Sequence, residues 1–145
     1  MSATVVHAAG LVAVAGVFGA MAFFAFVYAP LVFIKLGKET GGRFIREVFP
    51  VYYVTMGATS VAAAVLLAFA SATRGTDALA MACIGIVFFL ARFALLPVIN
   101  RNRDAGQAGD LEAKKRFDAL HRASVVVNLL QMLAVLVVLV RFAVY

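Results

Sequence analysis

Arg92 is the first residue that invites a chemical reading, because it stands alone in an otherwise uncharged stretch from Ala78 to Asn100. An ionisable side chain inside a long apolar run is costly, and is a functional candidate by default. It lies eight residues before Asn100, or ~12 Å along a helix axis. A second polar set, His121, Ser124, Asn128 and Gln131, recurs in the last apolar run. At ~100° per residue these four fall within a stripe of ~80° on one helix face. The spacing puts Asn128 at the depth of Arg92. Thr55 and Thr59 bracket that level, and Tyr52, Tyr53 and Tyr28 lie just below it. No acid falls inside the apolar runs. The five donors of Arg92 must therefore find carbonyls, amides, hydroxyls, water or a bound anion.

Two readings follow. In one, Arg92 snorkels to the polar surface while Asn128 and Gln131 join helices. In the other, Arg92, Ser124, Asn128, Gln131, His121, Thr55 and Tyr52 line a polar ligand-binding pocket open to the cytoplasmic side. Such a pocket would take an anionic group, a lipid phosphate or a porphyrin carboxylate, on the planar fork of the arginine.

Histidine opens a metal reading. His7 and His121 are expected at opposite ends of a bilayer core, ~30 Å apart, too far to share one iron within a single bundle. His7 alone is the residual metal candidate, with haem or copper as the group it would hold. Met21, Cys83 and Met132 offer soft donors at mid-membrane depth. Cys83 is nine residues from Arg92, half a turn out of phase, and the two point to opposite sides. No nucleophile–base pair, phosphate loop, paired carboxylates or metal motif occurs. No catalytic residue is predicted and no cofactor is required.

These residues need elements to position them, and the composition says which. Of 145 residues 65% are apolar and 14% charged, too few polar groups to clothe a soluble domain of this length. One cysteine excludes an intrachain disulfide framework. Charged residues are missing from Ser2 to Ile34, from Val48 to Thr73, from Ala78 to Asn100 except Arg92, and from Ala123 to Val140. A helix crosses a bilayer in about 20 residues, and in lipid long apolar runs default to helices. The pattern predicts an all-α, four-helix transmembrane bundle, residues 1–145 forming a single integral membrane domain. Its spans are expected at about 5–34, 48–71, 78–99 and 119–143. Val5–Ile34 is read as a permanent span rather than a cleavable leader.

Charge gives the orientation. Lys35, Lys38, Arg43 and Arg46 follow the first span; Arg101, Arg103, Lys114, Lys115, Arg116 and Arg122 follow the third. Only Arg74 and Arg141 mark the other side. The positive-inside rule puts both basic loops in the cytoplasm and both termini outside, in a multi-pass protein of what is expected to be the bacterial inner membrane. Such loops contact anionic lipid headgroups. The net charge of +6 therefore does not point to nucleic acid, for which interleaved stacking aromatics are missing. Arg101–Gly109 is expected to be loop, Asp110 to cap a fourth helix starting near Leu111, and Pro50 to sit in the first turn of the second span. Gly37 and Gly41–Gly42 punctuate the first loop. Small-residue stripes, Ala9–Ala13–Gly16–Ala20 and Gly57–Ala64–Ala68, predict close helix contacts within the chain or between copies, so a homo-oligomer or larger membrane complex is open.

Three stretches carry a family resemblance: His7 with the run ending Phe26-Val-Tyr-Ala-Pro30-Leu-Val-Phe33; Val48-Phe49-Pro50-Val-Tyr52-Tyr53; and Leu96-Pro97-Val-Ile-Asn100-Arg101 followed by Phe117-Asp-Ala-Leu-His121-Arg122-Ala-Ser124 and Asn128. Together they resemble the transmembrane protein 205-like family, a four-span domain of unknown function. The resemblance implies the same fold and a distant link to copper-resistance D-type proteins and to membrane-bound protoporphyrinogen oxidases, the latter matched here only at His7 and Pro30. Residues and resemblance together describe a small integral membrane protein acting as a non-enzymatic accessory or binding subunit. The alternative is a porphyrin-, haem- or copper-handling redox protein.

Overall fold

The computed structural model describes residues 3–144, which are helical almost throughout. Helix α1 (Ala3–Phe23) passes through a π turn (Phe24–Tyr28) into α2 (Ala29–Ala70). A 3-10 turn (Ala72–Arg74) leads to α3 (Gly75–Leu90), a second π turn (Ala91–Leu95) and α4 (Leu96–Gln107), and α5 (Leu111–Val144) closes the chain. Among the described residues three helices, not the expected four, are long and apolar enough to cross a membrane: Thr4–Ala70, Gly75–Gln107 and Leu111–Phe142. This is the make-up of an integral membrane protein.

The first of the three is not straight. Gly37 has φ 72 and ψ 175, a backbone that costs a side-chain-bearing residue dearly and glycine little. The chain doubles back there. Gly10 lies beside Leu66, and Phe24 stacks on Tyr52 with ring centroids 4.2 Å apart. Residues on the two sides of Gly37 thus run antiparallel. Of the punctuating glycines only Gly37 breaks the helix; Gly41 and Gly42 are helical.

Two boundaries are corrected. Pro50 does not open a helix but sits inside α2. The Arg101–Gly109 stretch is not loop, since α4 continues to Gln107. Its polar residues are the wet end of a helix, and composition separates wet from dry rather than helix from loop. Gly109, at φ 104, ends that helix, and the Asp110 amide returns to the Ala105 carbonyl at 3.1 Å. Asp110 then caps α5 as expected, its Oδ1 accepting from the amides of Glu112 and Ala113 at 3.0 Å each.

Both π turns stand two residues ahead of a proline, Pro30 and Pro97. A proline has no amide hydrogen and its ring pushes on the carbonyl four residues back, here Phe26 and Phe93. The ladder relaxes by one residue: the Ala29 amide reaches Phe24 O and the Leu96 amide reaches Ala91 O.

Val14, Val17 and Met21 of α1, Leu67 of α2, Met81 and Phe88 of α3, and Met132 and Val135 of α5 form the core. Helices α2 and α3 approach closely where Gly57 meets Gly85: a Cβ on Gly85 would lie 3.1 Å from the Gly57 carbonyl oxygen and 2.8 Å from Val61 Cγ2. Here the small-residue expectation holds. Gly16 makes no such contact within the chain: it is exposed, with nothing within 4 Å of where its Cβ would be.

Candidate functional site

The two ends of the molecule are chemically different. At the end shared by His7, Arg74 and Phe142, Asp77 is buried and doubly held. Arg141 Nε donates to its Oδ1 at 2.7 Å, and Arg74 Nη1 to its Oδ2 at 3.3 Å. Arg74 also donates to the Arg141 carbonyl at 3.2 Å, and its guanidinium lies 4.3 Å over the Phe142 ring. His7 packs on that same ring at 4.7 Å. In the sequence Arg74 and Arg141 stand out only as topological markers, and Asp77 does not stand out at all. Its position at a span edge, three residues after Arg74, was the one local clue.

The opposite end holds most of the basic residues and opens into a cleft. Its inner chamber, about 250 Å³, lies between the first π turn, the part of α2 around Tyr52, and α5. An aromatic cluster builds one wall: Phe24 stacks on Tyr52, Phe49 stacks on Tyr53 at 5.3 Å, and Phe88 meets Tyr52 edge-on at 6.0 Å. The π turn presents Phe24 to this cluster. His121, Ser124 and Asn128 of α5 form the facing wall. The outer chamber, about 640 Å³, shares Phe33, Ile45, Phe49, Tyr53, His121 and Ser124 with the inner one, so the two are continuous.

Two residues of the inner wall, Tyr52 and Asn128, each carry a buried polar atom without a hydrogen-bond partner among the described residues, the Tyr52 hydroxyl and Asn128 Oδ1. Orphaned buried polar atoms are rare and costly. The third such atom, Ser60 Oγ, is not part of either chamber's lining. His121 is exposed, stacked face to face on Phe117 at 5.7 Å, and its carbonyl accepts from Ser124 Oγ at 2.7 Å.

The mouth is charged. Arg46 makes a two-pronged pair with Asp104, at 2.6 and 2.9 Å, and Asp118 is matched by Lys114 at 3.1 Å. That hydrogen bond holds the Asp104 carboxyl below its ordinary range and raises Arg46. Lys38 and Arg103 also line the mouth, and neither forms a carboxylate pair among the described residues. Arg103 Nη1 donates to the Gly42 carbonyl at 2.9 Å; a Cβ on Gly42 would fall 2.7 Å from Arg103 Nη2, so the glycine makes room for the arginine.

Of the residues expected to share a pocket, the structure gathers Tyr52, His121, Ser124 and Asn128. It does not bring Arg92 there. Arg92 lies over the Phe93 ring at 5.2 Å and lines a separate depression with Arg46, Glu47, Asn100 and Asp104. Its side chain thus lies towards the charged end rather than in the cleft. Thr55 is exposed, its carbonyl accepting from Thr59 Oγ1 at 2.8 Å. Gln131 ties α5 to α3 through a 3.2 Å bond to the Ile84 carbonyl. His7 and His121 stand at opposite ends. Met21 and Met132 are core residues, while Cys83 is exposed.

Residues 12–108, about two thirds of the chain, match the model of a domain of unknown function, DUF4149, and the chain belongs to that family. Neither a curated protein nor a solved structure matches it.

Proposed function

We propose that this member of the DUF4149 family is a multi-pass membrane protein that binds a small amphiphile in the Tyr52–Asn128 cleft. In this reading it is a four-helix transmembrane bundle, the Thr4–Ala70 helix supplying two spans on either side of Gly37. Its basic end faces the cytoplasm and both termini lie outside. The clustering of Lys38, Arg46, Arg103 and Lys114 at one end supports that orientation through the positive-inside rule. The finer kinship with the transmembrane protein 205-like family belongs to the proposal and rests on the His7, Pro30, Pro50 and Phe117–Asn128 motifs.

One observation carries the binding role: two residues of the chamber wall, Tyr52 and Asn128, each hold a buried polar atom without a hydrogen-bond partner among the described residues, beside a lining that is mainly aromatic and aliphatic. A few polar groups placed in an apolar concavity are what small-molecule sites use to fix orientation. The hydroxyl can donate and the amide oxygen can accept. A hydroxyl or carbonyl on the ligand would relieve one or both. The role in this reading is that of a binding or accessory subunit, with Tyr52 and Asn128 as its contacts.

The test is purification in a mild detergent followed by mass spectrometry of what co-purifies. The wild-type protein is expected to carry a near-stoichiometric amphiphile, and a Tyr52→Phe, Asn128→Leu double variant to lose it. The same species at the same level in both preparations would argue that the molecule sits elsewhere.

A further inference from the structure

The cleft has a second polar feature, set apart from the first. Among the described residues Lys38 and Arg103 at the mouth form no close ion pair, Arg103 acting on Asp104 only through space, whereas Arg46 and Asp118 are each neutralised by a neighbour. The mouth therefore carries surplus positive charge, and two inner-wall residues, Tyr52 and Asn128, hold a buried hydroxyl and a buried amide oxygen without partners among the described residues. Arg103 is anchored at Gly42, ten residues along α2 from Tyr52, which is ~15 Å of helix. The shared wall of Phe33, Ile45, Phe49 and Tyr53 between these levels offers mainly apolar surface. A ligand that satisfies the whole cleft has an anionic head, an apolar stem of that length, and one hydroxyl or carbonyl at the far end of the stem.

Resting on the binding role above, we propose that the cleft recognises a single-chain anionic amphiphile that carries a hydrogen-bonding group partway along its chain, a long-chain hydroxy acid being the simplest such molecule. Its head lies between Lys38 and Arg103, where charge-assisted bonds form. Its mid-chain hydroxyl accepts from Tyr52 or donates to Asn128 Oδ1 once that side chain turns from its buried position towards the chamber. The remainder of the chain passes out beside Ala25 and Leu129, which line the inner chamber on α1's π turn and on α5. The inner chamber, at about 250 Å³, suits one chain rather than two.

Three probes separate the terms: 12-hydroxystearate, which has both groups; stearate, which lacks the hydroxyl; and methyl 12-hydroxystearate, which lacks the charge. Their affinities are measured by titration calorimetry on the full chain in a nonionic detergent. The hydroxy acid is expected to bind about fivefold more tightly than stearate, the worth of one ordinary hydrogen bond. It should exceed the methyl ester by about fivefold for each cation engaged. Lys38→Gln should lower the preference for acid over ester and leave the preference for hydroxystearate over stearate intact. The Tyr52→Phe, Asn128→Leu variant should do the reverse. Lys38 makes no ion pair among the described residues, so its variant is expected to fold; Arg103→Gln is the second arm. Equal binding of acid and ester by the wild type would overturn the anionic head while leaving the binding role standing. Equal binding of hydroxystearate and stearate would overturn the inner contact. Displacement by dioleoyl phosphatidylglycerol at equal concentration would overturn the single-chain requirement. Failure of all three probes to bind would remove the binding role itself.

Discussion

At one end of the molecule a carboxylate is held by two arginines; at the other, among the described residues, a hydroxyl and an amide oxygen have no partners and two cations at the cleft mouth form no ion pair. Asp77 is buried with both oxygens engaged, and Arg74 beside it has a carboxylate, a carbonyl and an aromatic face around its guanidinium. Tyr52 and Asn128 are lodged in a chamber wall with their polar atoms buried and unused. The far end has polar groups that complete one another, which is how a fold fastens its helices. The basic end has polar groups that await something, which is how a site is kept ready. The lesson is that burial of a polar residue says little until its partners are counted.

The largest expected effect is at the fastened end. Asp77→Ala would leave Arg74 buried without a counter-charge, and removing one member of a buried pair is strongly destabilising, by about 3 kcal/mol at the lower end of the usual range. The lower end applies because Arg141 is half exposed and can turn to water. A clear drop in the melting midpoint in detergent is expected, with ligand retention at the opposite end unchanged in the folded fraction. A midpoint equal to wild type would mean that the two ends do not differ in kind.

The helix crossing between the ends comes next. Gly85→Leu forces a side chain against the Gly57 carbonyl, which cannot yield as a flexible side chain would; overpacking of this kind costs about 1–3 kcal/mol. Gly16→Leu, on a face where nothing lies within 4 Å, should leave the midpoint of the monomer unchanged. Equal losses from both would show that the Gly16 face is also packed.

The orphaned pair sharpens the comparison through its sign. Tyr52→Phe removes a buried hydroxyl that has no partner, so the ligand-free protein should gain up to about 1 kcal/mol, because an unmet polar group costs free energy. The same change should weaken ligand retention. A polar deletion that destabilises at Asp77 and stabilises at Tyr52 would confirm that the first is structural and the second is reserved. Loss of stability at both positions would make Tyr52 another fastening.

Much of this was legible in the sequence, and the boundary has a physical basis. Helical class followed from apolar runs too long for anything else, and the cap at Asp110 from a local rule. The His121–Ser124–Asn128 stripe followed from helix periodicity, which fixes the face within one helix. The direction of Arg92 did not follow, because a shared depth with Asn128 sets a level along the helix and not the side of the helix on which the guanidinium lies. The π turns had a signal in Pro30 and Pro97, each followed back four residues. The clasp at Asp77 was out of reach for another reason: its stronger bond, to Arg141, spans 64 residues, and no local pattern specifies it. Likewise Gly16 and Gly57 look alike in sequence, and only the packing decides which of them meets a neighbour.

The smallest effect concerns the exposed pair at the cleft mouth. Asp104 is hydrogen-bonded by Arg46 and its carboxyl is held below the ordinary range. A carboxyl depressed in the folded state stabilises that state above its unfolded pKa, and the contribution fades as pH falls through the folded value. The pair is largely solvent-exposed, with side-chain exposures of 36% and 51%, so screening limits it to less than about 1 kcal/mol. Asp104→Asn should therefore shift the melting midpoint slightly at neutral pH, and the shift should vanish in acid below the carboxylate range, where wild-type Asp104 is also protonated. Its consequence for the cleft is the more telling readout. Removing the Asp104 charge frees Arg46 of its hydrogen-bonded partner and lifts the carboxylate that acts on Arg103, so Asp104→Asn should tighten binding of 12-hydroxystearate and leave its methyl ester unaffected. Weaker binding of the acid would mean that the Arg46–Asp104 pair shapes the mouth rather than setting its charge.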